Sequence, residues 1–347
     1  MRSPEPVKCL VWDLDHTVWA GTLLESDACR LRPGVRGVIS ELDRRGVLQS
    51  VASRNDPDLA LPLLARKRLD RYFVEPRVGW DSKVRSLQGI SQALGISFDA
   101  LALIDDEPFE REQAERLLPG VRAYPAEHVL DLTFLPEFSP GVTSPEARSR
   151  RSTYQGMAAR AVAGLESGMS RGEFLEWCNM ELVLSRACGD DIPRILELLG
   201  RTHQLNATGE LWPPETVSRW IEDPEWRVYV ARMRDRFVDY GRIGVAACRT
   251  TAAEWEMVVF LLSCRVLSRG ISGFFLSWLR GRAAEAGAAR ILARYRPGAR
   301  NVQMRSLFRL SGLSLEREDA GGTHIYAGPC LEPASPPRWL TVREEID

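Results

Sequence analysis

Apolar residues along this chain repeat with two different periods, and in the first part the periods alternate. KCLVW (residues 8–12) is a short unbroken apolar run, as in a strand buried on both faces. VLQSVAS (47–53) and LALI (101–104) are two more such runs. The stretches between them have helical spacing. In RSLQGISQALG, Leu87, Ile90 and Leu94 recur at i, i+3 and i+7, and Gly95 stands where a helix C-cap belongs. Strand–helix alternation with short connections predicts an α/β domain with a doubly wound, Rossmann-like parallel sheet. Its active site is then expected at the carboxyl ends of the strands.

Proline, glycine, serine and threonine take over in PEFSPGVTSP (136–145), where a boundary is expected. The pattern divides the chain into a first domain over 1–140 and a linker with a bridging helix over 141–180. A second domain over 181–330 and a loose tail over 331–347 follow. In the second domain, ELVLSRA reads as a strand and IPRILELLGRT as a helix. RVYVARM, RIGVAACR and WEMVVFLLS then read as an antiparallel meander. Ile271, Phe274, Phe275, Trp278 and Leu279 repeat as one face of a helix, and ARILARY reads as a further strand.

Composition narrows the function classes. With 46 basic and 47 acidic residues the net charge is −1, so no bulk field draws nucleic acid or an anionic membrane. A hydrophobic share of 44% with 27% charged residues excludes disorder, and no apolar run approaches the roughly 18 residues of a membrane span. The opening MRSPEPVKCLVWD shows no secretory pattern, and the seven cysteines include no CxxC pair. A reducing, cytoplasmic setting is therefore expected.

Chemistry concentrates at the predicted strand ends. In VWDLDHTVW, Asp13 and Asp15 leave the first strand together, with Thr17 beside them. Ser53, Arg54 and Asn55 end the second strand, Lys83 precedes a helix, and Asp105 and Asp106 end the third strand. Neighbouring carboxylates repel unless a cation intervenes, so Asp13, Asp15, Asp105 and Asp106 are candidate ligands for a hard divalent ion, Mg²⁺. The set suits phosphoryl transfer. Asp13 is the candidate nucleophile and Asp15 the acid–base, while Lys83, Ser53, Thr17, Arg54 and Asn55 are placed to hold phosphate. The intervals from Asp15 to Ser53 and from Ser53 to Lys83 are largely used by one helix each, which leaves no room for a cap domain.

A second candidate site lies around Cys264, between a predicted strand and a predicted helix. A cysteine at a helix N-terminus beside Arg265 is expected to carry more thiolate. In RTHQLNATG, Gln204, Asn206 and Thr208 alternate and could present three polar groups on one face, and His203 is a candidate base toward Cys264.

DLDHT, Ser53, Lys83 and Asp105-Asp106 resemble the four motifs of haloacid-dehalogenase-type phosphatases. VWDLDHTVW, ASRNDP and LIDDEPFER are similar to the FkbH-like branch of that superfamily. That resemblance covers essentially the whole chain and implies a capless phosphatase domain followed by a GNAT-like acyltransferase domain. His16 stands where that branch usually has Asn. Arg265, Ser268 and Gly270 resemble the GNAT turn that holds the phosphates of coenzyme A or phosphopantetheine, although Ser268 replaces its first glycine. Asn301 takes the place of the Asn that precedes a late helix in that fold. The resemblance implies that a glyceryl unit is recruited from 1,3-bisphosphoglycerate, through a thioester on Cys264, to the phosphopantetheine arm of an acyl carrier protein in polyketide-type biosynthesis. A plain Mg²⁺-dependent phosphatase and a coenzyme A-dependent acyltransferase are the rival expectations.

Overall fold

The computed structural model describes residues 5–25, 29–139, 144–267 and 269–346. Ser268 and residues 140–143 of the predicted boundary loop lie outside the described residues. The chain divides into two compact units, Met1–Ala158 and Ala159–Asp347. The division falls inside a helix, downstream of the Pro/Gly-rich stretch.

In the first unit the strands are β1 (Cys9–Trp12), β2 (Leu48–Ser53), β3 (Arg77–Val78), β4 (Leu101–Asp105) and β5 (Arg122–Pro125). They form one sheet in the order β3-β2-β1-β4-β5, and every pairing is parallel. The helices between them are α1 (Val35–Arg44), α2 (Pro57–Arg66), α3 (Lys83–Leu94) and α4 (Pro108–Leu117). Side-chain alternation along the strands builds two cores. Leu10, Trp12, Val51 and Ile104 pack with Val38, Ile39 and Leu63 on one face. Cys9, Val11, Leu48 and Leu103 pack with Leu87, Ile90 and Ala114 on the other. This is a sheet buried on both sides, as the continuous apolar runs require. It leaves only the strand ends for polar chemistry.

The short α5 (Pro145–Arg148) and the long α6 (Arg150–Glu166) follow, and α6 carries the chain out of the first unit. In the second unit the elements run α7 (Arg171–Trp177), β6 (Met180–Arg186), α8 (Ile192–Arg201) and α9 (Pro214–Glu222). Then come β7 (Trp226–Arg234), β8 (Asp239–Thr250), β9 (Glu254–Leu262), α10 (Ile271–Glu285), β10 (Arg290–Tyr295) and α11 (Val302–Leu310). The chain ends with β11 (Ser314–Glu318), β12 (His324–Pro329) and β13 (Leu340–Glu345). They form an eight-stranded sheet ordered β11-β12-β10-β9-β8-β7-β6-β13. The predicted meander is β7-β8-β9, paired antiparallel.

Two parts of this unit depart from the sequence reading. The tail expected to be loose from residue 331 instead ends in β13, which pairs in parallel with β6 from Leu340↔Met180 to Glu345↔Ser185. Only Leu340 of that strand is buried, so its sequence lacks a strong alternating signal. On the way there the tail runs along α10. A Cβ on Gly281 would come within 2.6 Å of Pro333, Ala334 N–H donates to Ser277 Oγ at 2.8 Å, and Trp339 Nε1 donates to Arg269 O at 3.3 Å.

The second departure concerns β9 and β10. They pair in parallel only through Met257↔Ala293. Beyond that point residues 205–207 lie between them. Ala207 N–H donates to Phe260 O at 3.0 Å, Leu262 N–H to Leu205 O at 2.8 Å and Arg296 N–H to Ala207 O at 2.9 Å. The polar RTHQLNATG stretch therefore contributes backbone to the sheet, in a place its composition does not announce.

Candidate functional site

The parallel register sets the first site. Trp12 is level with Val51 on one side and Ile104 on the other, so Asp13 emerges level with the last residues of β2 and β4. Asp13 N–H donates to Ile104 O at 2.9 Å, which fixes where the side chain leaves the sheet. Ser82 caps α3, its hydroxyl accepting from Arg85 N–H, and the first residue of that helix is Lys83. The Lys83 ammonium donates to Asp13 Oδ1, lies 2.9 Å from Asp105 Oδ2 and donates to Ala52 O at 2.6 Å. All three side chains are buried.

Electrostatics follow from that burial. Desolvation works against the Lys83 charge, but Asp13 and Asp105 together outweigh it and hold the ammonium above its ordinary range. Burial pushes Asp13 up to about 6 even though Lys83 opposes the rise, and Asp105 and Asp106 add to it. Asp106 is also raised, by burial first and by Asp105 second. The site therefore carries more negative charge than Lys83 can balance.

Asp13, Asp105 and Asp106 each bring one carboxylate oxygen to within 4.8 Å of the others. Three converging hard oxygen donors with excess negative charge fit Mg²⁺. Asp15, placed in the same ligand set from sequence, is not in this group. Its Oδ1 accepts from Trp19 Nε1 at 2.7 Å and Leu23 N–H at 3.2 Å, which hold the carboxylate against its own loop. Thr17 is buried, and its hydroxyl donates to Asp106 Oδ1 at 3.5 Å. His16 sits at φ 52°, in the left-handed region that Asn and His tolerate better than most residues.

Ser53 ends β2 and is buried, with its carbonyl accepting from Gly79 N–H at 3.1 Å. Arg54 is 48% exposed and pairs at 3.0 Å with Glu110, a buried carboxylate on α4. Because β1 lies between β2 and β4, that ion pair crosses over the end of β1. Asn55 is 1% exposed, and neither its amide nitrogen nor its carbonyl oxygen has a hydrogen-bond partner. A buried amide in that state costs about 1–3 kcal/mol, the mark of a group that awaits a ligand. Sequence reading missed Glu110 and Arg111. The Arg111 Nη1 donates to both Asp105 O and Asp106 O at 2.8 Å. A cation in the first turn of a helix opposes the helix dipole, and that was the signal available in DDEPFER.

The second candidate site does not assemble in the same way. Cys264 is partly exposed, but it heads a single 3-10 turn (Cys264–Val266), and the long helix starts only at Ile271. The helix-terminus argument for its thiolate therefore falls away, because one short turn carries little dipole. Arg265 turns back, its Nε donating to Ser263 Oγ at 3.1 Å. Gly270 caps α10 at φ 76°, a conformation that glycine supplies without strain. A Cβ there would lie 3.6 Å from Pro337 and 3.9 Å from Trp339, so the C-terminal segment lies over this turn. Arg269, just before it, points inward over the Tyr240 ring, 4.6 Å from its centre.

Gln204, Asn206 and Thr208 do not share one free polar face. Gln204 is exposed, whereas Asn206 and Thr208 are buried. Asn206 Nδ2 donates to Thr202 O at 3.1 Å, and its Oδ1 accepts from Gly209 N–H at 2.9 Å. Thr208 Oγ1 accepts from Glu210 N–H at 3.4 Å. Asn301 Nδ2 donates to Asn206 O at 3.1 Å and to Arg296 O at 3.0 Å, while its Oδ1 accepts from Gly298 N–H and Tyr295 Oη. Asn206 holds its own loop together, and Asn301 ties the loop before α11 to that stretch. His203 is half-buried on the same strap.

No protein-family model and no curated protein sequence matches the chain. Among solved structures it is similar to the N-terminal part of a Bacteroides fragilis protein containing a phosphatase domain complexed with Mg. The identity is 24% over 37% of this chain and 39% of that one, with a TM-score of 0.32. It is also similar to the ribosomal-protein-S18-alanine N-acetyltransferase of Escherichia coli, at 15% identity over 44% of this chain and 96% of that one, TM-score 0.35. A third similar structure is the PaiA N-acetyltransferase of Thermoplasma acidophilum in complex with coenzyme A. There the identity is 13% over 43% and 98% of the two chains, TM-score 0.34. The two-unit α/β architecture rests on strand order and register. Among the described residues, no helix is long and apolar enough to cross a membrane.

Proposed function

We propose that the first unit is a Mg²⁺-dependent phosphatase and that the chain as a whole recruits the glyceryl unit of 1,3-bisphosphoglycerate for an acyl carrier protein. One observation carries the phosphatase reading: a buried lysine held between two carboxylates at the end of a parallel sheet, with a third carboxylate beside them. An Asp13 oxygen attacks phosphorus, the bond from phosphorus to the leaving oxygen breaks, and Asp15 gives that oxygen a proton. Water then attacks the aspartyl phosphate, passes its proton to Asp15 and frees Asp13. Lys83 holds the charge of the transferred group, and Asn55 offers it an unpartnered amide. Asp13, Asp105 and Asp106 would hold Mg²⁺, which would neutralise phosphate charge.

For the second unit the reading is acyl transfer. The Cys264 sulfur attacks the carbonyl carbon of the acyl phosphate, the carbon–oxygen bond breaks, and inorganic phosphate leaves with the electron pair and takes the thiol proton. The thiol of the carrier's arm then attacks the thioester, and its proton returns to Cys264. Intact-mass spectrometry after mixing with 1,3-bisphosphoglycerate tests both halves. The expected result is a hydroxylamine-labile adduct that disappears in Cys264→Ala and keeps its phosphate in Asp13→Asn. An adduct that persists in Cys264→Ala places the nucleophile elsewhere. A plain phosphatase is the second reading, favoured by the cover of Pro337 and Trp339 over Gly270. It predicts phosphate release with no adduct and no loaded carrier.

A further inference from the structure

Asp105 and Asp106 are adjacent in sequence, yet both carboxylates turn toward Asp13. Asp105 is well held: its Oδ1 accepts from Glu107 N–H at 2.9 Å and its Oδ2 faces the Lys83 ammonium. Asp106 has far less. Its side chain meets the Thr17 hydroxyl at 3.5 Å, at the limit of a hydrogen bond, and it feels the repulsion of Asp105. Left to itself this carboxylate would swing outward into water, where its charge is better solvated. What opposes that swing acts on the backbone. A single nitrogen of Arg111, from the first turn of α4, takes the carbonyls of Asp105 and Asp106 together at 2.8 Å each. Those two bonds set the peptide orientation at the β4–α4 turn and with it the direction in which the Asp106 side chain leaves. Arg111 does this through backbone carbonyls alone, without contacting a ligand carboxylate.

We propose that Arg111 is a positioning residue for the metal site: it clamps the β4–α4 turn so that Asp106 points at the same spot as Asp13 and Asp105. The proposal rests on reading that cluster as a Mg²⁺ site. Isothermal titration of the chelator-stripped full chain with Mg²⁺ alone tests it without reference to turnover. Arg111→Met keeps the length of the side chain and removes the donors. It should weaken Mg²⁺ binding about 10–100-fold, the usual effect of losing a group that orients a ligand. Arg111→Lys retains a nitrogen donor and should restore binding close to the wild-type constant. A wild-type chain that binds Mg²⁺ and an Arg111→Met chain that binds it equally well would overturn the clamp alone. A wild-type chain that takes up no Mg²⁺ would remove the metal reading and the clamp with it. Should Arg111→Met fail to fold, Arg111→Gln, whose shorter side chain cannot reach both carbonyls, decides. A loss of about tenfold or more supports the clamp, and wild-type affinity overturns it.

Discussion

In the first unit, polar side chains are buried against one another: Lys83 lies between Asp13 and Asp105, and Asn55 is enclosed with no partner at all. In the second unit, the buried asparagines are used up by backbone, as where Asn301 binds Asn206 O, Arg296 O and Gly298 N–H, and buried charges meet opposite charge, as in Arg194 with Glu197 at 2.8 Å. The contrast separates two reasons for burying a polar group. A side chain that satisfies backbone groups is explained by the fold. Like charges brought together, or an amide left unsatisfied, raise the folding free energy and call for a ligand. By that standard the like-charged cluster of the first unit marks a site, and Asn206 and Asn301 of the second unit belong to its scaffold.

The largest expected effect breaks or keeps the first half of this contrast. Asp13→Asn should abolish phosphate release, measured with Mg²⁺ present, while the fold survives. An active Asp13→Asn chain would end the phosphatase reading. Lys83→Ala should lower phosphate release by about 10²–10³, as loss of a charge-stabilising donor does. Its burial adds a consequence that spacing along the sequence hides. Removing the ammonium strands two buried carboxylates and should cost about 3–5 kcal/mol of stability. Added Mg²⁺ should return part of that in a thermal melt, since the ion replaces the missing charge.

Asn301→Ala probes the second half. With several buried hydrogen bonds lost at about 1 kcal/mol each, and their partners orphaned, denaturant melts should show a loss of roughly 2–4 kcal/mol. An unchanged stability would return Asn301 to the list of ligand-binding candidates.

The pH profile gives a smaller effect with a definite sign. Asp13 must be ionised to attack, and burial raises it to about 6 against the pull of Lys83. Below that pH the protonated fraction grows and the rate falls. A cation stabilises the carboxylate, so saturating Mg²⁺ should move the acid limb of kcat/KM to lower pH. A limb that ignores Mg²⁺ would show that Asp13 does not sense the metal.

Much of the first unit was legible from sequence because parallel strands buried on both faces leave unbroken apolar runs, and the charged residues that end those runs mark the site. Asp13, Ser53 and Asp105 stood out for that reason, and Lys83 because it precedes the helix that leads to Asp105. Arg111 and Glu110 did not, because they act across space on backbone or on another loop. Cys264 lies between strand and helix as its sequence suggests, but the helix begins only at Ile271, so the thiol heads a 3-10 turn and not the helix N-terminus. β13 was missed because an edge strand with one buried residue, preceded by prolines, looks like a tail.

Gln204 offers the smallest effect and the sharpest separation. It sits two residues from Asn206 on the strap beside β9, yet it is exposed while Asn206 is buried in bonds to its own loop. Asn206→Ala therefore disturbs backbone satisfaction, and any loss of acyl transfer in it would mix folding with function. Gln204→Ala removes nothing the fold uses and should leave stability within about 0.5 kcal/mol of wild type. Phosphate release at the Asp13 site should also be unchanged. If the second unit only supports the fold, carrier loading by Gln204→Ala will match wild type. If the strap touches the glyceryl group or the carrier's arm, loading alone will fall while the melt and the phosphatase rate stay fixed. That outcome would place a ligand contact in the unit where burial alone marks none.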